Sequence, residues 1–167
     1  RGRLRRRPGT VFIIGAVDSG MPTHVLVAVD GSDCSERAVE FVAAEWAEPP
    51  TTLLHVIDPV EAGYDAGVLP SGSEAWYRSA TETATDLLSK RRARLVAARD
   101  GGEDGSDVDT TTEVGRPAAT IVEVAEAVGA DHVVVGSHGR KGVSRLVLGS
   151  VAESVVRRSP VPVTVVR

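Results

Sequence analysis

Gly136-Ser137-His138-Gly139, followed after nine intervening residues by Gly149-Ser150, is the segment of this 167-residue chain whose residue types and spacing could do chemistry. It follows the apolar run Val133-Val134-Val135 and leads into a helix-like stretch. A buried-type strand that breaks into glycine and polar residues before a helix is how an α/β protein holds phosphate. Glycines let backbone N–H groups approach an anion, and the helix N-terminus adds partial positive charge. For Gly149, which reads as lying inside a helical pattern, close packing is the alternative role. A second glycine-bearing strand end, Asp30-Gly31-Ser32, lies near the start of the chain.

Other nucleotide and hydrolase signatures are missing. The two lysines, Lys90 and Lys141, precede Arg91 and Gly142, so neither forms a Walker A loop. The chain has no Gly-x-Gly-x-x-Gly fingerprint, no Gly-x-Ser-x-Gly elbow and no Cys/His metal spacing. No catalytic residue is assigned, because no water-activating base or arginine finger is recognisable. Slow hydrolysis of a held triphosphate stays open, since it needs only a positioned water and a divalent ion.

The elements that must position these glycines alternate along the chain. His24 to Asp30 reads as a buried strand, and Ser32 or Asp33 as the cap of a helix carrying Ala38, Val39, Val42, Ala43 and Trp46 at helical spacing. Pro49-Pro50 stops that helix, and Thr52 to Ile57 is the second strand. A loop over 58–72, long enough for a binding segment or lid, precedes a long helix from Ser73 to about Arg99. Val108 to Val114, rich in Thr and Asp, is an edge-type third strand. Pro117 opens the next helix and Gly129 ends it. His132 to Val135, Ser144 to Arg157 and Val161 to Val166 are the fourth strand, the last helix and the fifth strand. The alternation predicts a single-domain α/β fold with a parallel sheet and helices on both faces. His24, His55 and His132 show no ligand spacing and read as structural.

Composition narrows the partners. Hydrophobic content of 42% with 25% charged residues is that of a globular chain. No apolar run approaches the ~20 residues of a membrane span. Cys34 is the only cysteine, which fits a reducing compartment and a small hydrophobe at a helix start. Arg1, Arg3, Arg5, Arg6 and Arg7 precede a short apolar stretch, Val11 to Val17, that is a poor signal-peptide core. Met21 is the only methionine, so 1–20 reads as a disordered arm or misassigned start and 21–167 as the domain. Those five arginines are set against Asp18 alone, which leaves 14 basic and 22 acidic residues and a net charge of −8 from Met21 onward. Such a balance, with few aromatics, disfavours nucleic acid and anionic membranes as partners.

The glycine segment, Val27-Ala28-Val29-Asp30-Gly31-Ser32, Leu54-His55-Val56, Gly115-Arg116-Pro117-Ala118, Gly129-Ala130-Asp131 and Ser159-Pro160-Val161-Pro162-Val163 occur in one order. Together, over about Thr23 to Arg167, they resemble the universal stress protein family, in the branch that binds ATP through Gly-x2-Gly-x9-Gly-Ser. The resemblance implies a five-stranded parallel sheet of order 3-2-1-4-5, the Rossmann-like adenine nucleotide α-hydrolase arrangement. That order sets the two glycine-bearing strand ends side by side at a switch point.

The resemblance also implies ATP as ligand, with AMP or ADP as alternatives and Mg or Mn as the ion. Val29 would line the base pocket, Asp30 would meet the ribose or adenine side, and Val56 would contact adenine through its backbone. Gly136, His138, Gly139 and Arg140 would wrap the phosphates; Gly149, Ser150 and Val151 would complete the site. Ser150 is the candidate contact to a phosphate-bound metal ion. Helix capping is the alternative for Asp30, hydrogen-bond donation rather than base chemistry the plainer role for His138, and a solvated charge the alternative for Arg140. A cytoplasmic homodimer pairing through the fifth strand, Val161 to Val166, is implied as well. The expected role is a nucleotide-dependent switch or interaction module in stress response. A slow ATPase and a non-nucleotide dimeric module are the alternatives.

Overall fold

Alternation along the central strands divides the core in two. The computed structural model describes residues 11–14, 21–46, 48–63, 73–99, 105–139 and 148–167. Strand β1 is Val11–Ile14 and β2 is Val25–Ala28, followed by helix α1, Asp33–Glu45. Next come β3 (Thr51–Ile57), a 3-10 turn (Pro59–Ala62) and helix α2 (Glu74–Ala98). Strand β4 (Val108–Val114), helix α3 (Pro117–Ala127), β5 (His132–Gly136), α4 (Ser150–Arg158) and β6 (Val163–Val166) complete the order. Successive side chains of a strand point to opposite faces. Val25, Val27, Val29 and Leu53 therefore pack with Val39 and Val42 of α1 and with Leu88 and Leu95 of α2. Leu26, Leu54, Val133 and Val135 pack on the other face with Ile121 of α3 and with Ala152 and Val155 of α4.

The sheet order is β1-β6-β5-β2-β3-β4. Its five parallel strands run β4-β3-β2-β5-β6, the expected 3-2-1-4-5, with β2 at the centre between β3 and β5. β1 was not foreseen as a strand. It lies within the 1–20 segment expected to be an arm, and it pairs antiparallel along the outer edge of β6, Val11 opposite Val166 and Ile14 opposite Val163. The rest of that segment lies outside the described residues.

Local chemistry explains most boundaries. Ser32 caps α1 by accepting the Ser35 N–H at 3.2 Å. Pro117 stands in the first turn of α3, and Gly129 leaves that helix at φ +68°, where a Cβ would be strained. β6 begins at Val163 rather than Val161. Pro160 and Pro162 have no N–H to donate, and Val161 is held in a local turn with Ser159. The last helix begins at Ser150 rather than Ser144, and Gly149 is its N-cap with φ −66° and ψ 151°, not an interior residue; 144–147 lie outside the described residues. The 58–72 loop includes the 3-10 turn, capped by the Asp58 carboxylate on the Val60 N–H; 64–72 also lie outside them. No described helix is long and apolar enough to cross a membrane.

At the opposite end of the sheet from the glycines, polar pairs tie the strand starts. His24 Nε2 meets Thr52 Oγ1 at 2.9 Å and His132 Nε2 meets Thr164 Oγ1 at 2.8 Å. Burial pushes the His132 pKa down, against the opposing pull of the Asp131 charge. Burial alone would raise the Asp131 carboxyl, but the Thr23 hydroxyl and the Thr23 and His24 N–H groups outweigh it and lower its pKa. Both groups therefore bind protons more weakly folded than unfolded, so each stabilises the fold at higher pH. Stability should fall as pH drops below about 6.5, through His132, and again below about 3.9, through Asp131. Urea melts across pH check this, and His132→Asn should remove the upper step alone.

Candidate functional site

β2 and β5 lie side by side, and the chains leaving their C-terminal ends diverge to opposite faces of the sheet. After β2 the chain turns into α1, on the α2 face; after β5 it leads to α4, on the α3 face. A cavity of about 620 Å³ lies over this divergence. Its apolar wall includes Ala28, Leu54, Val56, Ile121, Val135 and Leu148. The N-terminal turns of α3 and α4 open on it, and neither has a side-chain cap. Helix starts without a side-chain cap among the described residues offer it N–H groups and partial positive charge suited to an anion.

Nine of the ten site residues expected from sequence line this one cavity: Val29, Asp30, Val56, Gly136, His138, Gly139, Gly149, Ser150 and Val151. Arg140, the tenth, lies outside the described residues. Asp30 is not a helix cap, since Ser32 has that role. Instead, Asp30 Oδ1 accepts the Ser32 N–H at 2.9 Å and the Ser32 hydroxyl at 2.6 Å. The same hydroxyl lies 3.2 Å from the His138 carbonyl, so the loops after β2 and β5 share one polar knot. His138 Nδ1 is 3.0 Å from the buried Ser137 Oγ, which in turn reaches Cys34 Sγ at 3.7 Å.

The glycines have a more specific reason than access to an anion. None of the three motif glycines has positive φ. A Cβ on Gly136 would lie 2.9 Å from the backbone of Cys34 and Ser35, so strand β5 ends against the first turn of α1. A Cβ on Gly149 would lie 2.9 Å from the Ser137 carbonyl, which the Gly149 N–H itself reaches at 2.8 Å. A Cβ on Gly139 would lie 2.7 Å from Asp30 Oδ2. Close packing and anion access are one arrangement here: removing Cβ atoms brings three segments together and leaves their backbones facing the cavity.

Sequence reasoning missed Ser137 as a site residue and missed the α3 wall, Pro117 and Ile121. The signal was available for Pro117, because a first-turn proline after an edge strand directs a helix start toward the C-terminal rim of the sheet. For the divalent ion, no group of three His, Cys, Asp or Glu residues is found among the described residues. The Ser150 hydroxyl, which lines the cavity, fits an ion held mainly by phosphate oxygens rather than a resident metal centre.

A profile of the universal stress protein family matches residues 21–167. A universal stress protein of Methanocaldococcus jannaschii is 32% identical over 157 residues, covering 89% of this chain and 97% of its own. Among solved structures, a universal stress protein in complex with cAMP has TM-score 0.61 and 27% identity, covering 87% of this chain and 97% of that one. One from Archaeoglobus fulgidus in complex with dAMP, at TM-score 0.61 and 24% identity, covers 89% of this chain and all of that one, a likeness of fold.

The packing makes a graded prediction. Gly136→Ala must push helix backbone aside and should cost ~1–3 kcal/mol of unfolding free energy, read by denaturant melts. Gly139→Ala meets only the end of a side chain, so it should cost less stability while displacing the Asp30 carboxylate.

Proposed function

The chain belongs to the universal stress protein family, and on that premise we propose that it binds ATP over the C-terminal ends of β2 and β5 as a nucleotide-dependent interaction module. The observation that carries this reading is the single cavity in which the separate strand-end motifs converge with two uncapped helix starts. Adenine sits in the apolar slot against Val29 and Val56, the ribose meets Asp30, and the phosphates lie along Gly136, His138, Gly139, Gly149, Ser150 and Val151. Arg140 adds a forked cation to the phosphates. Ser150 would stand beside a Mg or Mn ion held by the phosphates, which would supply charge neutralisation there. The cAMP complex of the 27% identical universal stress protein supports an adenine nucleotide as the ligand class.

Bound nucleotide ties the loops after β2 and β5 to one ligand and so changes the surface shown to a cytoplasmic partner. Such a switch requires that the nucleotide favour one arrangement of those loops over another. The reading assigns no catalytic residue. It includes a homodimer paired through β6, and because β1 lies along that edge, a second copy pairs there in exchange for β1. Sedimentation should accordingly show a larger dimer fraction for a chain begun at Met21 than for the full chain.

Calorimetric titration with ATP and Mg²⁺ tests the site directly. About one ATP per chain with micromolar affinity is expected, with AMP binding more weakly because the β and γ phosphates lose their contacts. Asp30→Ala should weaken ATP by about tenfold or more, the loss of one charged hydrogen bond. No heat from either nucleotide in cooperatively folded protein overturns the reading and leaves a dimeric module without nucleotide.

A further inference from the structure

Val56 is where β3 outruns β2. Odd-numbered residues of β3 aim their backbone groups at β4: the Thr51 N–H donates to Asp107 O, and Ile57 O accepts from the Gly115 N–H. Residues of the other parity face β2, where the Val25 N–H donates to Pro50 O and the Val29 N–H to Leu54 O. By that alternation the N–H and C=O of Val56 also point to the β2 side, and the next bond of the ladder would run from the Val56 N–H to Val29 O. That bond is not made. Val29 O instead accepts from His55 Nδ1 at 2.7 Å. No backbone partner for Val56 on that side is found among the described residues. The chain beyond Val29 has already turned toward α1, with the Asp30 N–H 3.4 Å from Ser35 Oγ. Val29 and Val56 both line the cavity.

His55 is buried and sits on the α1/α2 side of the sheet, in the parity of Leu53 and opposite Leu54 and Val56. A carbonyl can only accept, so Nδ1 carries the proton of this bond. We propose that His55 is a positioning residue for base recognition: by holding the Val29 carbonyl it keeps the β2–β3 ladder open at Val56. One donor and one acceptor are thereby left free on a rigid strand. Adenine presents an acceptor, N1, beside a donor, the 6-amino group, and matches that pair. Guanine presents the reverse, an N1–H beside O6, and is refused because both partners would be left unpaired. This inference rests on the nucleotide reading above and assigns its base selectivity to a side chain on the far face of the sheet.

The test compares wild type, His55→Leu and His55→Asn for binding of ATP, GTP and inorganic tripolyphosphate, together with amide exchange at Val56 in ligand-free protein. In wild type the Val56 amide should exchange faster than that of Leu54; in His55→Leu it should become protected as the ladder closes. His55→Leu should lose about tenfold in ATP affinity and most of its preference over GTP while binding tripolyphosphate unchanged. His55→Asn, which offers an amide N–H to the same carbonyl, should recover both. Unaltered selectivity in His55→Leu, a parallel loss of ATP and tripolyphosphate, or a Val56 amide already protected in wild type overturns the proposal. Should wild type bind no nucleotide while the Val56 amide behaves as stated, the nucleotide reading falls and the role of His55 in holding the ladder open stands.

Discussion

Two parallel strands whose chains leave to opposite faces cannot stay paired beyond their C-terminal ends. β2 and β5 are held in register from Val25 opposite His132 to Val27 opposite Val134, and then they part. Everything at the functional end of this molecule answers that parting. Backbone groups that would have continued the ladders need other partners, and the protein supplies different ones at each position. The Gly149 N–H takes Ser137 O, His55 takes Val29 O, and Ser32 spans Asp30 and His138.

Features that look unrelated along the chain share this origin. The glycines are small because three segments must meet over a gap. The helices α3 and α4 start without side-chain caps because their first turns open on the same gap. At the other end of the sheet the polar side chains close on one another, as the His24–Thr52, His132–Thr164 and Asp131–Thr23 contacts show. One end of the sheet is sealed by its side chains, and the other is held open by backbone.

The fold was legible because its signals are strong and repeated. Blocks of Val, Leu and Ile of strand length alternate with helical spacings, and Pro117 and Gly129 mark the ends of α3 with a physical mechanism. The convergence of Asp30, Val56 and the glycine segment was legible once strand order was implied. Three things were not. Gly149 read as helical because sequence spacing cannot tell an N-cap glycine from an interior one when apolar residues flank it. β1 was hidden by the arginines before it, which suggested a solvated arm, and a four-residue strand carries no periodicity to count. The partner of His55, which reads as structural, is a backbone carbonyl 26 residues earlier, and no side-chain pattern records such a bond.

With β6 covered by β1, the other margin of the sheet is β4, which among the described residues pairs with β3 alone. Its sequence Val-Asp-Thr-Thr-Thr-Glu-Val is nearly symmetric about Thr111. Two copies meeting antiparallel through that edge, centred on Thr111, would set Asp109 of each chain opposite Glu113 of the other. Like charges placed directly across a ladder repel, and they would do so twice in one short pairing. A run of β-favouring threonines on an open margin invites growth of the sheet; the two carboxylates that bracket it make the symmetric join the unfavourable one. The two margins are thus guarded by different means, one by a strand that a second copy must displace and the other by charge.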